Sequence, residues 1–125
     1  MKKFKDETVG QMYEKVDGGD VDGFLSYLEP DVVFIFGSEP AVYGKESVRA
    51  FARGLLSQVN GVKHDLLDVW DLDGKSKKLV KGEVTYALKT GNTITLPFLN
   101  LFVLNEDLIT EFQIYADPRR FYESL

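Results

Sequence analysis

The chain has 125 residues, 44% hydrophobic and 13% aromatic, with a formal charge of −5. That length fits one domain, residues 1–125, and the apolar fraction belongs to a globular chain rather than a disordered one. The absence of cysteine excludes disulfides, thiolate metal centres and thiol nucleophiles, and a single histidine excludes a multi-histidine metal site. The acidic balance argues against nucleic acid or an anionic membrane as partner.

Met1–Glu7 carries charge with no apolar run behind it, and no stretch approaches the ~20 apolar residues of a membrane span, so a cytoplasmic location is expected. Val9, Met12, Tyr13 and Val16 recur at helical spacing and predict a first helix, stopped at Asp17-Gly18-Gly19, where glycine tolerates the left-handed conformation. Asp20 can cap a second helix with the face Val21, Phe24, Leu25 and Leu28, ended by Glu29-Pro30-Asp31. Val32-Val33-Phe34-Ile35-Phe36 reads as a buried strand. A loop from Gly37 to Gly44 leads to a third helix carrying Val48, Phe51, Leu55, Leu56 and Val59, stopped by Asn60-Gly61.

Strands follow over Val62–Leu72, Lys78–Lys89, Thr93–Leu104 and Leu108–Asp117. Turn chemistry at Asp73-Gly74, Thr90-Gly91-Asn92 and Asn105-Glu106-Asp107 separates them, so the four form an antiparallel meander. Pro118–Leu125 reads as a short terminal helix. Three helices followed by long strands predict an α+β fold with helices on one side of a curved antiparallel sheet. The strand at Leu96–Leu104 is apolar on both faces: Leu96, Phe98, Phe102 and Leu104 on one, Leu99, Leu101 and Val103 on the other. A sheet covered by helices on one face should alternate there. A second copy is the simplest cover, and a homodimer is expected.

This order of elements resembles the cone-shaped nuclear transport factor 2-like superfamily. Val16-Asp17-Gly18-Gly19-Asp20 is similar to the turn between its first two helices, and Asp31-Val32-Val33-Phe34 with Tyr43-Gly44-Lys45-Glu46 to its first strand and the start of its third helix. Gly82-Glu83-Val84-Thr85-Tyr86, Gly91, Leu96-Pro97-Phe98 and Ile114-Tyr115-Ala116-Asp117 resemble the SnoaL-like, polyketide-cyclase-like branch, and the last stretch also resembles limonene-epoxide hydrolases. The resemblance implies one SnoaL-like domain enclosing a pocket.

On the ketosteroid-isomerase pattern, the base falls on Phe36, the first-helix tyrosine on Met12 with Tyr13 one place away, and an oxyanion-hole acid on Asn100. Phe36 cannot take a proton, and one residue is a rotation of about 100° on a helix, so this chemistry is not expected. On the epoxide-hydrolase pattern, Glu83 falls on one carboxylate and Lys81 on the bridging arginine, whose bidentate fork lysine lacks. Ile114 replaces the other carboxylate, and Phe34 and Phe36 the water-holding groups. The implied pocket is lined by Phe34, Phe36, Phe98, Phe102, Phe112 and Ile114, which suits an apolar or aromatic ligand; the open alternative is a filled core.

Four residues are candidates for acid/base work. Strict alternation puts Lys81 and Glu83 opposite Val80, Val84, Tyr86 and Leu88 and leaves them in solvent, whereas the resemblance turns them toward the pocket. Asp117 is either an acid at the pocket mouth or the N-cap of the last helix, with Pro118 at its first position. His64 shares a face with Val62, Leu66 and Trp70, near Asp65 and Asp68 in sequence, and is either a general base or a structural residue. Tyr13, Tyr43 and Trp70 can each put a polar tip into an apolar space, and Asn100 interrupts an apolar strand and must find a partner there or in the pocket. Phosphate loops, a nucleophile elbow and a metal cluster are missing. The expected function is binding of a small hydrophobic molecule, with cofactor-free isomerase, cyclase or hydrolase chemistry as its catalytic form. The alternative is a non-catalytic dimerisation or accessory module with a filled core.

Overall fold

In the computed structural model, which describes residues 7–125, helix α1 spans Glu7–Asp17 and buries Val9, Met12 and Tyr13. The charged segment Met1–Asp6 lies outside the described residues. Gly19, at φ 74°, turns the chain into α2 (Val21–Leu25), whose N-cap Asp20 accepts a hydrogen bond from the Gly23 amide at 2.9 Å. This helix is a single turn. Strand β1 already begins at Leu28 and runs to Phe36, because Leu28 pairs with Ile109. Pro30, expected to sit in a break, is accommodated where the β1 register shifts between Leu28 and Val33, a stretch that tolerates a residue without an amide proton.

The loop after β1 holds a two-residue strand, β2 (Val42–Tyr43). Helix α3 (Lys45–Ser57) then packs Val48 into the core. It ends before the expected stop at Asn60-Gly61. Those residues fall inside β3 (Val59–Leu72), where the register shifts between Val59 and Gly61, so the turn-like pair makes an irregularity in a strand instead. Strands β4 (Lys77–Leu88), β5 (Thr93–Asn105) and β6 (Leu108–Tyr115) follow, and α4 (Pro118–Glu123) ends the chain.

The curved sheet has the order β2-β1-β6-β5-β4-β3. From β3 to β6 it is the expected antiparallel meander. It is nonetheless mixed rather than antiparallel throughout, because β1 lies parallel to β6. That pairing joins segments some eighty residues apart, and no local signal specifies it. Helices α1 and α3 pack on one face of the sheet. That face carries Val80, Val84, Tyr86 and Leu88 of β4 and Leu96, Phe98 and Phe102 of β5.

A second irregularity in β3, between Leu66 and Asp68, has a larger consequence. His64 pairs with Val84 and Leu66 with Gly82, both inward. The extra residue reverses the alternation, so that Val69 pairs with inward Val80 and Trp70 with Leu79 on the outer face.

Candidate functional site

Between α1, α3 and the inner sheet face lies a cavity of about 90 Å³. Its wall is mostly aromatic and aliphatic, with Phe34, Phe36, Phe98, Phe112 and Ile114 from the strands and Phe51 and Leu55 from α3. Four side chains with polar groups are among its lining: Tyr13, His64, Tyr86 and Asn100.

Asp17 is the last residue of α1 and holds His64 twice. Its Oδ2 accepts from the His64 backbone amide at 2.9 Å, and its Oδ1 lies 2.6 Å from Nδ1. A carboxylate acceptor puts the imidazole proton on Nδ1 and leaves Nε2 as the basic nitrogen. No described residue hydrogen-bonds Nε2. The ring is fixed by Tyr13, with centroids 4.6 Å apart, and by the Phe98 ring edge-on at 5.7 Å.

Asn100 is 2% exposed, and its Nδ2 donates to the Tyr13 hydroxyl at 2.6 Å. Its Oδ1 is buried without a partner among the described residues. Because the Tyr13 oxygen accepts from Asn100, its own O–H is left to donate elsewhere. Burial pushes the Tyr13 hydroxyl well above the ordinary tyrosine range, against the lowering effect of the Asn100 hydrogen bond and with the Asp17 charge adding to the rise. Burial, with a smaller contribution from Tyr122, does the same to Tyr86. Both tyrosines are therefore neutral donors and not bases.

A larger depression, about 590 Å³, lies outside this cavity. It is formed by the turn at residues 16–22, the last turns of α3 with Arg53, Leu56 and Ser57, and the start of β3 at residues 59–62.

The cavity gathers Tyr13, Phe34, Phe36, His64, Phe98, Asn100, Phe112 and Ile114 from the expected set. Phe102 is fully buried but stands behind the wall, 4.4 Å from the Phe112 ring. Trp70 is corrected to the outer face, 45% exposed, because of the β3 bulge. Lys81 and Glu83 are exposed on that same outer face, as simple alternation requires, since burying Val80, Gly82 and Val84 turns them outward. Neither lies along the cavity, so the inward orientation drawn from the resemblance does not hold. Asp117 caps α4, accepting from the Arg119 amide at 3.0 Å, and is likewise outside the cavity lining. Tyr43 is exposed on β2. Tyr13, and not Met12, is the helix-1 residue that meets Asn100; Met12 is fully buried.

Asp17 was missed as the partner of His64, a role that sequence proximity gives to Asp65 or Asp68. One signal was present: an acid in the last turn of a helix sits at the negative end of the dipole and calls for a compensating contact. Among the described residues, no group of three or more His, Asp or Glu side chains is gathered to hold a metal ion, and no helix is long and apolar enough to cross a membrane.

The sequence matches the SnoaL-like domain over residues 9–112. The chain belongs to the SnoaL-like family. An NTF2-like protein from Burkholderia pseudomallei superposes with a TM-score of 0.84 at 19% identity, over 94% of this chain and 93% of that one. A proposed polyketide cyclase from Xanthomonas campestris pv. campestris gives 0.81 at 21% identity, over 91% and 90%. An LEH-like epoxide hydrolase from M. tuberculosis gives 0.77 at 16% identity, over 94% and 86%. At these identities the likeness is one of fold.

Proposed function

We propose that this SnoaL-like chain binds a small, mainly apolar molecule bearing a carbonyl or hydroxyl group, and that the His64–Asp17 pair transfers a proton on it without a cofactor. The observation that carries the reading is His64 itself: one ring nitrogen held by Asp17 at 2.6 Å, the other without a hydrogen bond from any described residue, in the wall of an apolar cavity. Nε2 takes a proton from a carbon beside the ligand's carbonyl, and the C–H electron pair moves onto the oxygen. The Tyr13 O–H donates to that oxygen, and Asp17 stabilises the imidazolium until Nε2 returns the proton. Fold relatives named for polyketide cyclisation and epoxide hydrolysis favour a catalytic reading over a purely structural one.

The test joins a thermal-shift screen of small ketones and alcohols with deuterium incorporation next to the carbonyl of any ketone that binds, followed by NMR in heavy water. The wild type is expected to catalyse incorporation, and His64→Gln to lose it while keeping the thermal shift. Binding without incorporation by the wild type overturns the proton-transfer reading. Flat melting curves across the screen overturn the binding reading too and leave the interaction module.

Self-association belongs to the same proposal. Trp70, Leu99 and Tyr115 are 45%, 39% and 50% exposed on the outer sheet face, Leu99 paired directly with Tyr115. Such a band of large apolar side chains is what a second copy would cover.

A further inference from the structure

The cavity is small for the ligand that its chemistry suits. The inner cavity measures about 90 Å³. A benzene-sized guest is known to occupy an apolar cavity of about 150 Å³. A ring-sized ligand must therefore leave part of itself elsewhere.

The depression of about 590 Å³ adjoins the cavity and has that room. Val16, Leu56 and Val62 line both spaces. They are half-buried aliphatic side chains, Val16 and Val62 packed against the core, and rotamer changes among them would open the partition they form. The Asp17–His64 pair crosses the same boundary: Asp17 lines the outer space and His64 the inner one. Inside, the Asn100 Oδ1 is a buried acceptor with no described partner. An unsatisfied buried acceptor is costly, and a ligand O–H would satisfy it.

We infer that cavity and depression are two chambers of one site, taking an uncharged alcohol or enol. Its hydroxyl-bearing head sits in the inner chamber and donates to Asn100 Oδ1, while its ring-sized body passes between Val16, Leu56 and Val62 into the outer one. This rests on the reading of the inner cavity as a ligand site, and the test separates the two. Backbone amide shifts are followed by NMR during titration with phenoxyethanol, which has both parts, and with n-propanol, which supplies only a head. Phenoxyethanol is expected to shift amides of both chambers, Leu96 and Asn100 inside and Gly19 and Asn60 outside, and propanol only those inside. Leu56→Trp, which fills the partition, is expected to weaken phenoxyethanol about tenfold and leave propanol nearly unchanged. Should that variant fail to fold, the wild-type shift maps decide alone. Phenoxyethanol shifts confined to either chamber overturn the two-chamber site, and those confined to the inner one leave the cavity reading standing. If neither alcohol shifts the inner amides, both readings fall.

Discussion

Asn100 and Tyr13 meet as polar partners inside the core. Their hydrogen bond, at 2.6 Å, places an amide in an apolar strand and a phenol in an apolar helix face. Asn100→Leu strands the Tyr13 hydroxyl and is expected to cost about 1–3 kcal/mol in urea denaturation. Adding Tyr13→Phe removes the stranded group, so the double variant should cost less than the sum of the two single ones; strict additivity would show that the bond contributes nothing. Tyr86 has a signature in pH. Burial keeps its hydroxyl protonated in the folded state well above the ordinary value of 10.0, whereas the unfolded chain loses that proton near this value. The folded state thus binds more protons above pH 10; this contribution to stability is complete below it and is lost as pH rises. The slope is about 1.4 kcal/mol per pH unit for one such tyrosine. Tyr86→Phe is expected to flatten the fall in stability above about pH 10, and an unchanged slope would count against its burial as the cause. Of this cluster, Asn100 was legible in the sequence as an interruption of an apolar strand. Tyr13 was visible only as a helix-face residue, and Asp17 only as part of a helix stop. Residues 47 and 87 apart in the chain meet here, and sequence spacing carries no information about such contacts.

Among the elements, β3 and β4 decide which side chains reach the cavity. Gly82 is a point of close approach: a Cβ there would collide with the Asp65 carbonyl oxygen and lie 2.7 Å from the Phe98 ring. Gly82→Ala must move backbone or push Phe98 toward the cavity, and overpacking of this kind costs about 1–3 kcal/mol. A drop in melting temperature is expected, together with displaced Phe98 ring signals in NMR; an unshifted melting curve would refute the close contact. The terminal helix offers a milder case. Asp117→Ala removes the cap on the Arg119 amide and should cost about 1 kcal/mol, while Asp117→Asn keeps an acceptor and should be nearly neutral. Equal losses in both variants would point to a role for the carboxylate charge. Periodicity located these elements to within a few residues, and turn residues located the meander. The bulge at Leu66/Asp68 was not legible, because one extra residue changes no local propensity. It nonetheless sends Trp70 outward while His64 stays inward.

For the whole molecule, the outer sheet face sets the expected assembly. Light scattering after size exclusion should give the mass of two chains at micromolar concentration, and Leu99→Glu, at the centre of the Leu99–Tyr115 pair, should return the mass of one. A wild-type monomer mass would remove the dimer. The sequence by itself determined the α+β class, the meander and which residues of β4 and of β5 share a face. Those follow from local propensity and from the two-residue period of a pleated strand, which act over a few neighbours. Only the tertiary structure decided that β1 closes the sheet in parallel beside β6, that Lys81 and Glu83 stand outside, and that Asp17 serves His64. Each depends on which distant segments share a wall, and that is settled by the burial of the whole apolar face at once rather than by any stretch of chain.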